Sequence, residues 1–316
     1  MATCLITGGA GNLASQLSWS LAGRYDRVVL FDVAPAPVAA IAPGAVFERG
    51  DLLDRAGLDS LFVRHRPAAV IHLASLLSGS CEDDRERGWA VNMDGTFALF
   101  EAALRGGAPM VVLASSVAAY GGTLPETLRE DTPQWPDGLY GVTKMAAERL
   151  GVYYHRRHGL DFRCLRLPIT VSRFAPAGAA SALASHAFIE AVQRGQYTFC
   201  VRPDIRLALI YVRDVLQAFL GLLAAPSTGL GRRVYSVAGV AATLGEVADA
   251  IRRRLPEAKL RFDPDPAASA LLASWPGRID DSAARRDWGW QPGFDLERMA
   301  DDFLQVLRVE TGANAR

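Results

Sequence analysis

The sequence predicts a doubly wound α/β fold: a parallel sheet covered by helices on both faces, with a smaller C-terminal substrate lobe. Three observations carry that expectation. Short β-branched runs alternate with amphipathic stretches through the first half, the first run feeds a glycine turn, and the texture of the chain changes after Pro168.

Strands are expected at residues 3–7, 27–32, 45–48, 69–73, 110–114 and 162–167, with helical periodicity at 13–22, 58–65 and 89–104 between them. After Pro168 the run SRFAPAGAASA reads as a small-residue loop, followed by a helix at 183–194. The chain is then expected to return to the sheet through ALIYVRDVLQAFLGLL and RRVYSVAG, and to end in helices at 244–255 and 296–307. RFDPDPAASA reads as an exposed connection. On this pattern residues 1–170 and 205–240 form a dinucleotide-binding domain, and 171–204 and 241–316 a substrate-binding lobe.

Half of the 316 residues are hydrophobic, ample for a core. Lys plus Arg and Asp plus Glu are both 34, so no field of one sign recommends nucleic acid or an anionic membrane as partner; a small-molecule substrate fits better. The start, MATCLITGGAGNLASQL, lacks a basic region followed by a long apolar run, and no later apolar run has membrane-spanning length, so the expected location is cytoplasmic. Cys4, Cys81, Cys164 and Cys200 are scattered with no C-x-x-C pair and read as buried reduced thiols. His155 and His158 lie three apart with no third ligand, so no metal is expected.

The first strand runs into Gly8-Gly9-Ala10-Gly11-Asn12-Leu13-Ala14 and a helix, the context that a dinucleotide fingerprint requires. Gly8 suits the tight turn, and Gly11 lets backbone approach a pyrophosphate at the helix N-terminus. Ala14 stands where a third glycine is usual and is still small enough for close packing. Asp32, 24 residues after Gly8, is placed to accept from ribose hydroxyls and to repel a 2′-phosphate, which favours NAD over NADP; its alternative role is a loop cap. Asp51-Leu52 is placed for the adenine amino group, and His72-Leu73-Ala74, with Ser75, lies beside the cofactor trough.

Ser115-Ser116 closes the fifth strand, and Tyr140-Gly141-Val142-Thr143-Lys144 opens a later helix. Four residues apart, Tyr140 and Lys144 point to one helix face. A phenol of pKa near 10 needs a nearby cation to act at neutral pH, and Lys144 and an oxidised nicotinamide ring are the expected sources. Ser116 would hold the reacting oxygen within reach of Tyr140. A Y-x-x-x-K pair alone is usually helix surface; the strand-end serine and the N-terminal glycine turn, in this order, give it meaning. Asn92 in AVNMDGT reads as a support for the lysine or its helix, or as plain helix packing. Arg166 and Arg206 are the arginines expected to meet a substrate carboxylate, unless they are spent in salt bridges. The tryptophans, including Trp275, Trp288 and Trp290, read as packing of the C-terminal lobe, and Arg252 to Arg254 as a solvated helix face.

Together LITGGAGNLA, SSVAAYG, YGVTK, LRLP and IYVRD resemble the extended short-chain dehydrogenase/reductase superfamily over nearly the whole chain. The resemblance implies a Rossmann domain with a C-terminal lobe, bound NAD, a homodimer, and Ser116, Tyr140 and Lys144 as the working triad. It also assigns Leu73, Ala74, Ser75, Asn92 and Leu167 to the cofactor site. Within that superfamily GLDFRCLRLP, RPDIRLALIYVRD and SWPGRIDDSAARRDWGWQPGFDL resemble the short-chain type of L-threonine 3-dehydrogenase, with Leu76 to Ser78 as its substrate-contact turn. By that likeness Ser78, Ser116, Tyr140 and Ser181 would contact substrate, and Asp280-Asp281 would form a structural turn. The sequence departs from the family at Arg166-Leu167-Pro168-Ile169-Thr170 and at PAGAASA, where it is more similar to D-erythronate dehydrogenases, whose substrates are sugar acids. A nucleotide-sugar epimerase or dehydratase keeps the same triad, but its diphosphate-binding arginine would fall on Leu207, with Arg206 one residue early and on the opposite face of a strand. Retention of the triad argues against a silent NAD-binding regulator.

Overall fold

The computed structural model describes residues 2–107, 109–176 and 178–310. In chain order, β1 (Thr3–Thr7), α1 (Asn12–Leu21), β2 (Arg27–Asp32), β3 (Val46–Arg49), α2 (Arg55–His65) and β4 (Ala69–His72) are followed by two short helices, α3 (Ser78–Asp83) and α4 (Arg85–Trp89). Then come α5 (Gly95–Arg105), β5 (Met110–Ser116), β6 (Thr127–Leu128), α6 (Leu139–His158) and β7 (Phe162–Leu167). The second half runs β8 (Ile169–Val171), α7 (Leu183–Arg194), β9 (Gln196–Phe199), β10 (Arg206–Tyr211), α8 (Val212–Ala224) and β11 (Val234–Ser236). It closes with β12 (Val240–Thr243), α9 (Leu244–Arg254), β13 (Lys259–Phe262), α10 (Pro266–Ala273), β14 (Arg278–Ile279), α11 (Ser282–Trp288) and α12 (Leu296–Glu310).

Seven strands form one parallel sheet in the order β11-β7-β5-β4-β1-β2-β3. Strands buried on both faces explain the near-continuous apolar runs. Alternate residues feed two cores: Cys4, Ile6, Val28, Leu30 and Ile71 pack against α1 and α8. Leu5, Val29, Val70 and Val111 pack against α2, α5 and α6. Strand order reverses at β1, between β4 and β2, so the crevice at the carboxyl ends of these strands is where such a sheet takes a ligand.

A third core joins α7, α9 and α12 to β10 and β12. Here the structure corrects the sequence reading. Residues 206–211 do not re-enter the main sheet; β10 pairs parallel with β8 and antiparallel with β12 in a separate three-stranded sheet. The apolar run forms a strand as expected, but periodicity does not name its neighbour. Leu207, Leu209 and Tyr211 face the lobe core, while Ile210 faces the α1/α8 core, so this strand is apolar on both sides. From this stretch it is α8 and β11 that return to the sheet.

The tryptophan reading also divides. Trp275 packs on the lobe core, whereas Trp290 is buried with Ala283 and Ala284 in the core shared with the sheet. Asp281 accepts from the Trp290 indole N–H (2.9 Å) and from Arg285 (2.6 and 3.0 Å), and Asp280 caps Ser282 N–H (2.9 Å). Arg252, Arg253 and Arg254 are less idle than a solvated face: Arg253 and Arg254 both pair with Glu297, and Arg254 with Asp301, tying α9 to α12. Cys4, Cys81 and Cys164 are buried; Cys200 is exposed, against expectation. Among the described residues no His/Cys/Asp/Glu group could hold a metal, and no helix is long and apolar enough to cross a membrane.

Candidate active site

The turn after β1 is held between two backbones. Gly8 has φ +70°, and a Cβ there would lie 2.7 Å from Ala74 N. A Cβ on Gly9, which the sequence reading passed over, would lie 2.5 Å from Phe31 N. Side chains at either position would push the turn away from β2 or from the 73–75 loop. Gly11 caps α1 without any side-chain acceptor, and no acid occupies the first turn, so the positive helix end at Asn12 and Leu13 stays open. Asp32 does cap the turn, accepting from Ala10 N–H (3.0 Å) and Ala34 N–H (2.9 Å). Each carboxylate oxygen retains a second lone pair for a hydroxyl. Leu73, Ala74, Ser75 and Leu167 are half-buried at the carboxyl edge of the sheet. These features fit a dinucleotide: an open N–H cradle for pyrophosphate and a carboxylate at the end of β2. Asp51 is exposed and caps Leu53 N–H (2.9 Å), while Leu52 is buried against Gly95.

Beneath the cradle, Thr96 Oγ1 donates to Asn92 O (2.6 Å) and therefore accepts from His72 Nε2–H (2.9 Å). His72 Nδ1 must then accept from Thr7 Oγ1–H (2.6 Å). Burial, helped by the Lys144 charge, drops the His72 pKa to about 3, keeping the ring neutral. Asn92 sits in a widened turn, Ala90–Asp94, closed by Gly95 N–H to Ala90 O. It is 4 % exposed; its amide accepts from Leu76 N–H (2.8 Å) and donates to Leu76 O (3.0 Å) and Thr143 Oγ1 (3.1 Å). Its side chain joins the 74–77 loop to α6, the supporting role that is one of the readings of Asn92 from the sequence.

Ser116 ends β5, and its Oγ accepts from Ala118 N–H (3.1 Å). Tyr140 and Lys144 lie one turn apart on α6, with Lys144 Nζ 5.4 Å from the Tyr140 ring centroid. Lys144 is buried and donates to Ala114 O (2.9 Å). Burial pushes the Tyr140 phenol up to about 12, with the Ser116 hydroxyl acting against it, and brings the Lys144 ammonium down to about 8. Desolvation of the phenol is the largest influence on Tyr140, and the Ser116 hydroxyl is what opposes it.

Three further residues shape the site. A Cβ on Gly141 would lie 2.1 Å from Ala118 O, so only glycine lets α6 lie on the turn that follows Ser116. Glu82 on α3 accepts from Leu139 N–H (2.9 Å), capping α6 and fixing the short helix that starts at Ser78. Glu148, one turn beyond Lys144, is buried and bonded to Ser115 and Arg166. Glycine next to the tyrosine is legible in hindsight; the two glutamates carry no local signal that separates them from helix surface.

Arg166 is not available to a substrate carboxylate: it is buried and pairs with Glu148 (2.7 Å), Glu130 (3.2 Å) and the Tyr120 hydroxyl. Arg206 bonds Ala241 O (2.9 Å) and pairs with Glu246 (3.3 Å). It lines an open groove of about 570 Å³ with Trp275 and Arg278. Ser78 and Ser181 are exposed, on α3 and on the turn before α7; among the described residues neither hydrogen-bonds the triad.

The chain matches the model of the NAD dependent epimerase/dehydratase family over residues 4–238. It is similar to the mitochondrial L-threonine 3-dehydrogenase of Bos taurus, 36 % identical over 97 % of this chain and 83 % of that protein. Among solved structures, L-threonine dehydrogenase from Clostridium difficile superposes with a TM-score of 0.92 at 29 % identity, covering 98 % of each chain. The holo form of L-threonine dehydrogenase from Cupriavidus necator gives 0.90 at 34 % identity, covering 96 % of this chain and 99 % of that one. With the glycine cradle, the switch point and the tyrosine–lysine helix in place, the chain belongs to the NAD dependent epimerase/dehydratase family.

Proposed function

We propose that this enzyme is an NAD-dependent dehydrogenase that oxidises the β-hydroxyl of L-threonine, or of a related β-hydroxy amino acid, to a 2-amino-3-oxo acid. The observation that carries the reading is the meeting of Ser116, Tyr140 and Lys144 at the carboxyl end of β5, within a chain among whose relatives are proteins named L-threonine 3-dehydrogenase. In this reading Ser116 holds the substrate oxygen, Tyr140 takes the hydroxyl proton, and Lys144 favours the phenolate. Bound NAD would supply the two-electron acceptor and a cationic ring beside the phenol. Gly8, Gly11, Asn12 and Leu13 would cradle its pyrophosphate, and Asp32 its ribose. Asp51, Leu52, Leu73, Ala74, Ser75 and Leu167 would line its trough, with Ser78 and Ser181 at the substrate.

The same reading takes the enzyme to be cytoplasmic, as the sequence reading expects, and a homodimer, on family likeness; a solution mass equal to the 34.0 kDa of one chain would refute the dimer. The substrate is tested by incubating purified enzyme with NAD and, separately, L-threonine, D-erythronate and a UDP-sugar, following NADH absorbance. Net NADH with L-threonine is expected. Net NADH with D-erythronate alone moves the substrate to sugar acids, the reading favoured by PAGAASA, and UDP-sugar interconversion without net NADH overturns the dehydrogenase assignment.

A further inference from the structure

We propose that Glu148 is a positioning residue of this active site: its carboxylate, clamped between Ser115 and Arg166, fixes α6 against β5 and β7 and holds the Lys144 ammonium in its charged form. The inference rests on the triad reading above and extends it one helical turn inward.

Glu148 is 1 % exposed and takes four hydrogen bonds. Ser115 Oγ donates to Oε1 (2.6 Å), Arg166 to Oε1 through Nε (2.9 Å) and to Oε2 through Nη2 (2.7 Å), and Gln134 Nε2 to Oε2 (3.0 Å). These donors come from β5, β7 and the loop before α6. A carboxylate saturated in this way, and forked by a guanidinium, allows little sliding of the helix. Ser115 is the chain neighbour of Ser116, and Glu148 shares a helix face with Lys144 and, two turns away, Tyr140. One side chain therefore fixes the distance between the strand that carries the hydroxyl and the helix that carries the phenol.

The charges facing this point come from every packed element. Lys144 and Arg166 are buried cations, from α6 and β7; Glu148 is a buried carboxylate and Glu130 a half-buried one, with exposed Arg232 reaching Glu130 at 3.5 Å. His72 on β4 is neutral, and burial raises the thiols of Cys81 on α3 and Cys164 on β7 and the phenol of Tyr120, so none of these carries charge near pH 7. Two buried cations thus face one fully buried carboxylate, Glu148, and the half-buried Glu130, whose carboxyl is pushed up by burial. Arginine does not release its proton in a protein, whereas a buried lysine does so readily. When the Glu148 charge is lost, Lys144 is the cation that yields. The Lys144 pKa, already brought down to about 8 by burial, is supported from below by Glu148 among its neighbours.

The test is the pH profile of threonine-dependent NADH formation. Lys144 lies one helical turn from Tyr140, with its Nζ 5.4 Å from the ring centroid, so a change of charge at Glu148 acts on the ionisations that govern turnover. In Glu148→Gln these move down by about one pH unit, the usual size for loss of a close opposite charge. In Arg166→Met, which removes a cation across the same carboxylate, they move up by a similar amount. Glu148→Asp retains the charge and restores the parental midpoints while kcat stays reduced. Damage to packing alone would lower Tm in all three and leave the midpoints in place; that result, or midpoints moving the same way in Glu148→Gln and Arg166→Met, overturns the inference. If one of these two variants does not fold, the direction found in the other decides. Turnover that survives Tyr140→Phe would refute the underlying reading instead, whatever the midpoints do.

Discussion

Tyr140→Phe is expected to lower kcat with L-threonine by about 10²–10⁴-fold, the usual contribution of a positioned acid–base group. NAD affinity should stay within about threefold of the parent, because the loss belongs to the proton-transfer step and not to ground-state binding. The substitution removes one oxygen and leaves the ring, and Lys144 keeps its bond to Ala114 O. With the phenol held at about 12 by burial, parental turnover should rise with pH as a larger fraction ionises; this rise should be absent from the residual activity of the variant. Steady-state kinetics from pH 6 to 10, with NAD binding by calorimetry, measure both. Unchanged kcat would remove Tyr140 from the chemistry.

Gly141→Ala is the second large effect. Its Cβ would be placed 2.1 Å from the carbonyl oxygen of Ala118, a backbone atom in the short turn that leaves Ser116. Either α6 or that turn must retreat, and the retreat separates Tyr140 from Ser116. A misplacement of about 1 Å in a catalytic constellation costs on the order of 10²-fold in rate, so kcat should fall by about that factor. Gly141 lies in the first turn of a 20-residue helix whose remaining contacts are untouched, so the protein should remain folded with circular dichroism like the parent. A variant of parental kcat would show that the helix and the turn adapt independently.

What the chain discloses by itself follows from how far each interaction reaches along it. β1, β2 and β7 lie at the residues expected, because a strand buried on both faces concentrates apolar residues; in β7 the two arginines, Arg163 and Arg166, are accommodated by buried partners. The proposed triad is legible because its residue types occur in a fixed order, with a spacing that puts Tyr140 and Lys144 on one helix face. β10 is different: its apolar residues announce a strand, but its partners β8 and β12 are set by contacts distant in sequence. Arg166 was open to two readings for the same reason, since nothing near it in the chain announces Glu148 and Glu130. Asn92 joins the cofactor side to α6 through a widened turn that heptad-like spacing does not reveal. The direction of the Tyr140 shift depends on burial, a property of the folded molecule and not of the Y-x-x-x-K spacing.

The most direct measurement follows a single atom. L-threonine carrying deuterium at its β-carbon is incubated with the enzyme and NAD, and the reduced cofactor is analysed by mass spectrometry. If Ser116, Tyr140 and Lys144 oxidise the β-hydroxyl as proposed, each NADH formed carries one deuterium and the amino acid is consumed in equal amount. NADH without deuterium, or threonine that remains unconsumed by enzyme known to bind NAD, would contradict the account.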